Sequence, residues 1–187
     1  MDSDDDSINE NRTRPNILLT GTPGVGKTST AIRLAEALGL KHLHLGDLIR
    51  QHHFTEAHDE ARNTDILDED KLLDYLEPFM TTDGGIVLDY HACELFPERW
   101  FDLVLVLRAS TEVLYDRLTA RQYSDTKRWE NLECEILQVV LDEAREAYDP
   151  NIVVEVPSNT VEDMEATLAR VKIWMEQWMQ DRASSSD

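Results

Sequence analysis

Eight consecutive residues, Gly21-Thr22-Pro23-Gly24-Val25-Gly26-Lys27-Thr28, follow the spacing G-x-x-x-x-G-K-[ST]. Glycines let a backbone curl round a phosphate without Cβ clashes, and N–H groups at the start of a helix bind the oxygens. In such a loop Gly24, Val25, Gly26, Lys27, Thr28 and Ser29 surround the phosphates. The Lys27 ammonium reaches the β and γ groups, and the Thr28 hydroxyl is a ligand of Mg²⁺. A second oxygen donor for the metal is Asp89, at the end of Ile86-Val87-Leu88, although a strand-end aspartate also caps turns. His91, two residues on, has an imidazole that titrates near neutral pH and can orient an acceptor or an attacking water. Between residues 108 and 128, Arg108, Arg117, Arg121, Lys127 and Arg128 face only Glu112, Asp116 and Asp125. Phosphoryl transfer needs such charge over a triphosphate, so Arg108 and Arg121 are candidate phosphate ligands, with Arg121 the first choice for a catalytic arginine. A solvated helix face of mixed charge is the other account of the same segment.

These side chains need elements that carry them to one place. Asn16 to Thr20 is an apolar run without alternation, as in a strand covered on both faces. From Lys27, the spacing of Ala31, Leu34, Ala35 and Leu38 predicts a helix, with Gly39 at its C-cap. His42 to Leu45 reads as a weak strand and Asp47 to about Gln51 as the start of a helix, while Phe54 to Thr64 carries no period. Asp68, Glu69 and Asp70 load the first turn of a helix bearing Leu72, Leu73, Leu76 and Phe79, ended by Asp83-Gly84-Gly85. Further strands are predicted at Ile86–Asp89, Leu103–Leu107 and Ile152–Val156, the last closed by Pro157, and further helices at Thr111–Leu118 and Glu133–Tyr148. A final helix after Ser158 carries Met164, Leu168, Val171, Trp174, Met175 and Trp178 as a stripe that should dock on the sheet. Strands alternating with helices predict an α/β, P-loop NTPase fold with a five-stranded parallel doubly wound sheet, its ligand at the strand C-terminal edge.

The chain has 187 residues, enough for one core and too few for two ordinary domains. We expect a disordered acidic tail over 1–14, a single domain over 15–180, and a polar tail over 181–187. Net charge is −20; five acids and two bases lie in 1–14 and two acids and one base in 181–187, leaving −16 on the body. An acidic body repels nucleic-acid phosphate and attracts basic proteins, so sequence-specific nucleic-acid binding is not expected. Cys93 and Cys134 lie in no zinc-ligand spacing, so no zinc site is expected. With no leader and no apolar run of about 18 residues, a soluble intracellular protein is expected. No N-K-x-D guanine-reading element occurs, which ranks a regulatory GTPase last.

From about Pro15 to Trp178 the chain resembles the adenylate kinase isoenzyme 6 family, also called nuclear adenylate kinase or coilin-interacting nuclear ATPase. The residues that carry the resemblance are Pro15-Asn16-Ile17 with the loop Gly21–Thr28, Gly46-Asp47-Leu48, Leu67-Asp68-Glu69-Asp70, Asp89-Tyr90-His91, Phe96-Pro97-Glu98-Arg99-Trp100 and Val106-Leu107-Arg108. Leu114-Tyr115, Arg117-Leu118, Arg121, Asn131, Glu135-Ile136 and Pro157-Ser158-Asn159 continue it. The resemblance implies a nucleoside-monophosphate (NMP) region near 44–67, with Asp47 and Arg50 as NMP-binding residues, and a short lid near 119–129. It also implies Mg²⁺-dependent phosphoryl transfer from ATP to AMP or another NMP, giving two ADP from ATP and AMP. ATP hydrolysis comes with it, tied to Asp89-x-His91. Catalytic roles then fall to Lys27, Asp89, His91 and Arg121, and metal ligation to Thr28 and Asp89. The implied partner is a basic small-subunit ribosomal protein on a pre-ribosomal particle, with action in nucleus and cytoplasm; the alternative is an assembly ATPase whose kinase turnover is incidental. Two positions depart from the family pattern. Gln122 follows Arg121 where relatives often have glycine, which predicts a stiffer lid hinge, and Thr160 stands where some relatives carry a lysine near the adenine.

Overall fold

A computed structural model describes residues 12–59, 64–82 and 84–185. In chain order it runs β1 (Ile17–Thr20), α1 (Lys27–Leu38), β2 (Lys41–His44), α2 (Leu45–His52), β3 (Thr55–Asp59), β4 (Thr64–Leu67) and α3 (Glu69–Thr81). Then come β5 (Ile86–Asp89), a 3₁₀ turn (Glu98–Trp100), β6 (Leu103–Arg108), α4 (Thr111–Ala120), α5 (Asp125–Ile136), α6 (Val139–Ala147), β7 (Val153–Pro157) and α7 (Val161–Ser185).

The unalternating apolar runs become strands covered on both faces. Ile17, Leu19, Leu105 and Leu107 point to one side, where α1, α4 and α7 meet them through Leu34, Leu114, Leu118, Leu168 and Val171. Leu18, Leu88, Val104 and Val106 point to the other, against Leu72, Leu76 and Met80 of α3, Leu141 of α6, and Phe96 and Trp100. The strands are parallel in the order β2-β5-β1-β6-β7, which is the five-stranded doubly wound sheet expected from the sequence. Because β1 is central, the P-loop that follows it opens at the middle of the strand C-terminal edge, with β5 on one side and β6 on the other.

Local chemistry sets the element ends. Gly39 closes α1 in the left-handed region (φ 65°), its N–H donating to the Ala35 carbonyl. Asp68 caps α3 by accepting from the Lys71 N–H at 3.2 Å. The stripe on α7 packs as expected over most of its length, with Leu168, Val171 and Met175 buried and Met164 and Trp174 alongside, while Trp178 lies under the Arg182 guanidinium instead.

Several expectations are corrected. The segment without period contributes an antiparallel ribbon, β3 with β4, apart from the main sheet. The single helix expected over Glu133–Tyr148 is two, because Leu137 ends α5 and Gln138 takes a left-handed conformation (φ 59°) before α6. The polar segment expected as a tail from residue 181 continues α7 to Ser185. Residues 1–11, 60–63 within the expected NMP region, Asp83 and 186–187 lie outside the described residues, but Arg12 does not belong to a tail. It is 2% exposed. Its guanidinium meets Asp102 at 3.0 Å and donates to the Trp100 carbonyl at 2.6 Å, so the chain is anchored under the sheet before β1 begins.

Candidate functional site

The P-loop turn between β1 and α1 depends on glycine at two points of close approach. At Gly21 (φ 143°) a Cβ would lie 2.7 Å from the Leu107 carbonyl oxygen, and at Gly24 (φ 99°) 2.9 Å from the side chains of Leu114 and Leu118. The loop is also held from outside. The Val25 carbonyl accepts from Ser158 Oγ at 2.6 Å and from Arg117 Nη1 at 3.2 Å. Arg117 donates in addition to the carbonyls of Ser158 (2.7 Å) and Asn159 (3.2 Å), binding the P-loop to the β7–α7 connection. On its other flank Thr22 Oγ1 donates to Glu135 Oε2 at 2.6 Å.

Lys27, at the first turn of α1, folds back over the loop. Its Nζ donates to the carbonyls of Gly21 (2.7 Å) and Thr22 (3.1 Å). Burial pushes the ammonium down to about 8, against the attraction of Asp89. The next residue, Thr28, donates from Oγ1 to Asp89 Oδ2 at 2.6 Å. Asp89 ends β5, and its two oxygens are divided: Oδ2 faces Thr28, while Oδ1 accepts from His42 Nε2 at 2.7 Å. His44 Nδ1 lies 3.1 Å from both. Burial alone would raise this carboxyl, but the hydrogen bonds from His42 and Thr28 and the nearby His44 outweigh it and hold Asp89 below its ordinary value. A hydroxyl and a carboxylate converging beside a helix N-terminus suit a hard divalent ion, so the donor set fits Mg²⁺.

A cleft of about 700 Å³ opens over these groups, lined by Lys27, Thr28, Asp89, His91, Arg121 and Arg50 among others. Partial desolvation in this cleft, with the Lys27 charge, lowers His91 from its ordinary value. A second cleft, of about 600 Å³, lies on the far side of the P-loop between Arg121, Ser158, Asn159 and Thr160. Arg121 borders both and has no carboxylate partner among the described residues. It sits at the C-terminus of α4, before the turn where Gln122 holds φ 59°. Gly24, Gly26 and Ser29 line both clefts, whereas Val25 is wholly buried and its N–H donates to the Thr22 carbonyl.

Two expected ligands are placed differently. Arg108 does not reach the clefts. It donates through Nε to Glu135 Oε1 (2.7 Å), through Nη1 to Glu155 Oε1 (3.1 Å) and through Nη2 to the Glu135 carbonyl (2.8 Å), since two carboxylates on its own side of the sheet hold the fork. Asp47 pairs with Arg50, three residues on along α2, and only Arg50 lines the cleft. Sequence reasoning also missed Glu135, buried in α5, which joins Thr22 to Arg108. It missed the imidazoles of His42 and His44 as well, although alternate residues of one strand share a face.

Comparison with known proteins agrees with this geometry. Residues 17–138 match the AAA domain family. An adenylate kinase isoenzyme 6 homolog of Caenorhabditis elegans is 51% identical over 163 residues, which cover 87% of this chain and 90% of the relative. The chain belongs to the adenylate kinase isoenzyme 6 family. Another family member, from Schizosaccharomyces pombe, is 47% identical over 170 residues, or 91% of this chain and 97% of its own. Among solved structures, a shikimate kinase from Acinetobacter baumannii in complex with shikimate matches with a TM-score of 0.61 at 18% identity, covering 89% of this chain and 96% of that one. A gluconokinase from Sinorhizobium meliloti matches with a TM-score of 0.53 at 17% identity, covering 91% and 98%. These likenesses show the fold, and with the family membership they make the chain a P-loop kinase of the nucleotide kinase type.

Proposed function

We propose that this protein transfers the γ-phosphoryl group of magnesium ATP to a nucleoside monophosphate, AMP in the first place, and also hydrolyses ATP in the same site. One observation carries the reading: Lys27, the Thr28–Asp89 pair, Arg121 and Arg50 border a single cleft at the C-terminal edge of the parallel sheet. Phosphoryl transfer asks for little covalent chemistry from a protein and much positioning and charge neutralisation.

Each side chain then has a task. The P-loop amides and Lys27 hold the β and γ phosphates of the donor, with Lys27 exchanging its loop carbonyls for phosphate oxygens. Thr28 and Asp89 would hold Mg²⁺, which supplies neutralisation of the β and γ oxygens when bound. The cleft beside Ser158–Thr160 receives the donor's nucleoside. Arg50, which lines the same cleft, takes the acceptor phosphate and is oriented by Asp47. Arg121, between the two clefts, covers the transferred group and offsets the charge that develops on it. His91 stands at the rim as a neutral imidazole, suited to orient an attacking water when no acceptor is present.

The acidic body favours a basic partner, and we assign as that partner a basic small-subunit ribosomal protein on a pre-ribosomal particle, in nucleus and cytoplasm. A coupled assay for ADP from ATP and AMP, with and without Mg²⁺, tests the central reading. Folded protein that makes no ADP from the pair would refute it, and ATP hydrolysis stimulated by a basic ribosomal protein in the same preparation would favour the assembly ATPase instead.

A further inference from the structure

His42 and His44 are alternate residues of β2 and lie on one face of that strand, while Asp89 is the register partner of His44 on the neighbouring β5. One nitrogen of each imidazole and one oxygen of the carboxylate lie within 4.8 Å of one another. Two of the three separations are already short, 2.7 Å from His42 Nε2 to Oδ1 and 3.1 Å from His44 Nδ1 to the same oxygen. Tetrahedral zinc, with bonds of about 2.0–2.1 Å, needs donors roughly 3.3 Å apart, so these separations require shifts of no more than about 1.5 Å between any two donors. Asp89 is buried and ionised, and the imidazoles are 17% and 33% exposed, which leaves an approach from the cleft.

We propose that His42, His44 and Asp89 form a binding site for a borderline divalent transition ion, with zinc as its representative, and that its occupancy opposes the magnesium nucleotide. Two imidazoles and a carboxylate favour zinc, copper, nickel or cobalt over magnesium, which takes oxygen donors. In binding, the ligating nitrogen of each ring must be bare, its proton moving to the other ring nitrogen or to solvent, so the ion replaces the hydrogen bonds that now hold the cluster. Three protein ligands leave a fourth position for water. The metal site stands on its own geometry. The antagonism rests on the nucleotide reading, because both ions draw on Asp89, and coupling of this kind is reciprocal.

The test begins with chelator-stripped, nucleotide-free full chain titrated with zinc against a chromophoric indicator, and with cobalt to read the visible bands of a tetrahedral ion. One equivalent should bind and the cobalt bands should appear. His42→Gln or His44→Gln should weaken zinc by about 100-fold and abolish the bands. A His52→Gln/His53→Gln control should keep both. Equal zinc affinity in a folded His42→Gln/His44→Gln variant, or no tetrahedral cobalt spectrum in the wild type, would overturn the site. X-ray absorption at the zinc edge of the wild type needs no variant: two imidazoles and oxygen are expected, and a sulfur shell would overturn the assignment. With magnesium and a non-hydrolysable ATP analogue present, zinc affinity should fall by about tenfold or more. Unchanged zinc affinity while the analogue is bound would overturn the antagonism. A protein that takes zinc and no nucleotide would overturn the nucleotide reading and leave the metal site standing.

Discussion

Thr22 Oγ1 donates to Glu135 Oε2 at 2.6 Å, so the wall of the phosphate loop is fastened to α5, a helix more than a hundred residues further along the chain. The other oxygen of the same carboxylate holds Arg108 Nε at 2.7 Å and the Ala109 N–H at 3.0 Å. Glu135→Ala would leave the buried Thr22 hydroxyl and the largely buried Arg108 without it. Arg108 keeps Glu155, so the loss comes from the unsatisfied Thr22 hydroxyl and Ala109 N–H and the weakened guanidinium pairing; we expect about 2–4 kcal/mol in urea unfolding, with weaker ATP binding by the surviving native state. Glu135→Ala with wild-type stability would break the link.

Lys27→Ala should remove nucleotide-dependent turnover, by about 10³-fold or more, because its ammonium folds back onto the phosphate loop itself. Arg121→Met should lower the rate by about 10³- to 10⁵-fold while leaving ATP binding within a small factor. Arg108→Met should behave in the opposite way, costing stability first and rate only through the loop. Calorimetric ATP binding beside single-turnover rates separates the three, and an Arg108 variant as slow as the Arg121 variant would reverse the assignment made from geometry.

His91 stands at the cleft rim, and its neutral form is favoured by desolvation and by Lys27. We expect His91→Gly to lower ATP hydrolysis by about 10- to 100-fold while ATP affinity changes little, as for a group that orients water rather than binding phosphate. Full hydrolysis in the glycine variant would remove the role.

Cys93 is wholly buried, and burial together with Glu143 and Glu94 pushes its thiol up to about 11. The unfolded chain therefore releases this proton first. Between pH 9 and 11 the native state binds more protons than the unfolded state, so stability falls as pH rises and is unaffected below that window. The wild type should lose on the order of 2 kcal/mol more than Cys93→Ala between pH 8 and 11, measured as the difference in urea midpoints. The native thiol should also resist alkylation at pH 8, whereas the unfolded one reacts.

Arg12 and Asp102 are 0% and 7% exposed at their side chains. Arg12→Ala removes the guanidinium from the buried Asp102 carboxylate, which keeps the Asn16 N–H at 2.8 Å, and should cost about 3–5 kcal/mol. Thermal unfolding of the variant beside the wild type measures that cost.

Periodicity and motif spacing carried the fold a long way. Unbroken apolar runs such as Ile17–Leu19 and Leu103–Leu107 can only be strands sandwiched between layers, and Gly21–Thr28 between a strand and a helix declares a phosphate loop whatever surrounds it. Both are local: the residues that make the pattern are neighbours in the chain, and their steric and hydrogen-bonding demands are met by one another. The ribbon β3–β4 and the break at Gln138 escaped because neither carries a hydrophobic period.

Tertiary structure decided who faces whom. Arg108 and Arg121 are the same residue type in one basic stretch, yet Glu135 and Glu155 claim the first while the second stays at the clefts. His42 and His44 become neighbours of Asp89 only because β2 pairs with β5, across more than forty residues of chain. A charged group's role depends on the nearest opposite charge or donor in space, through an interaction that falls off with distance and rises as water is excluded. Sequence order says little about that distance, and the packing of the sheet sets it.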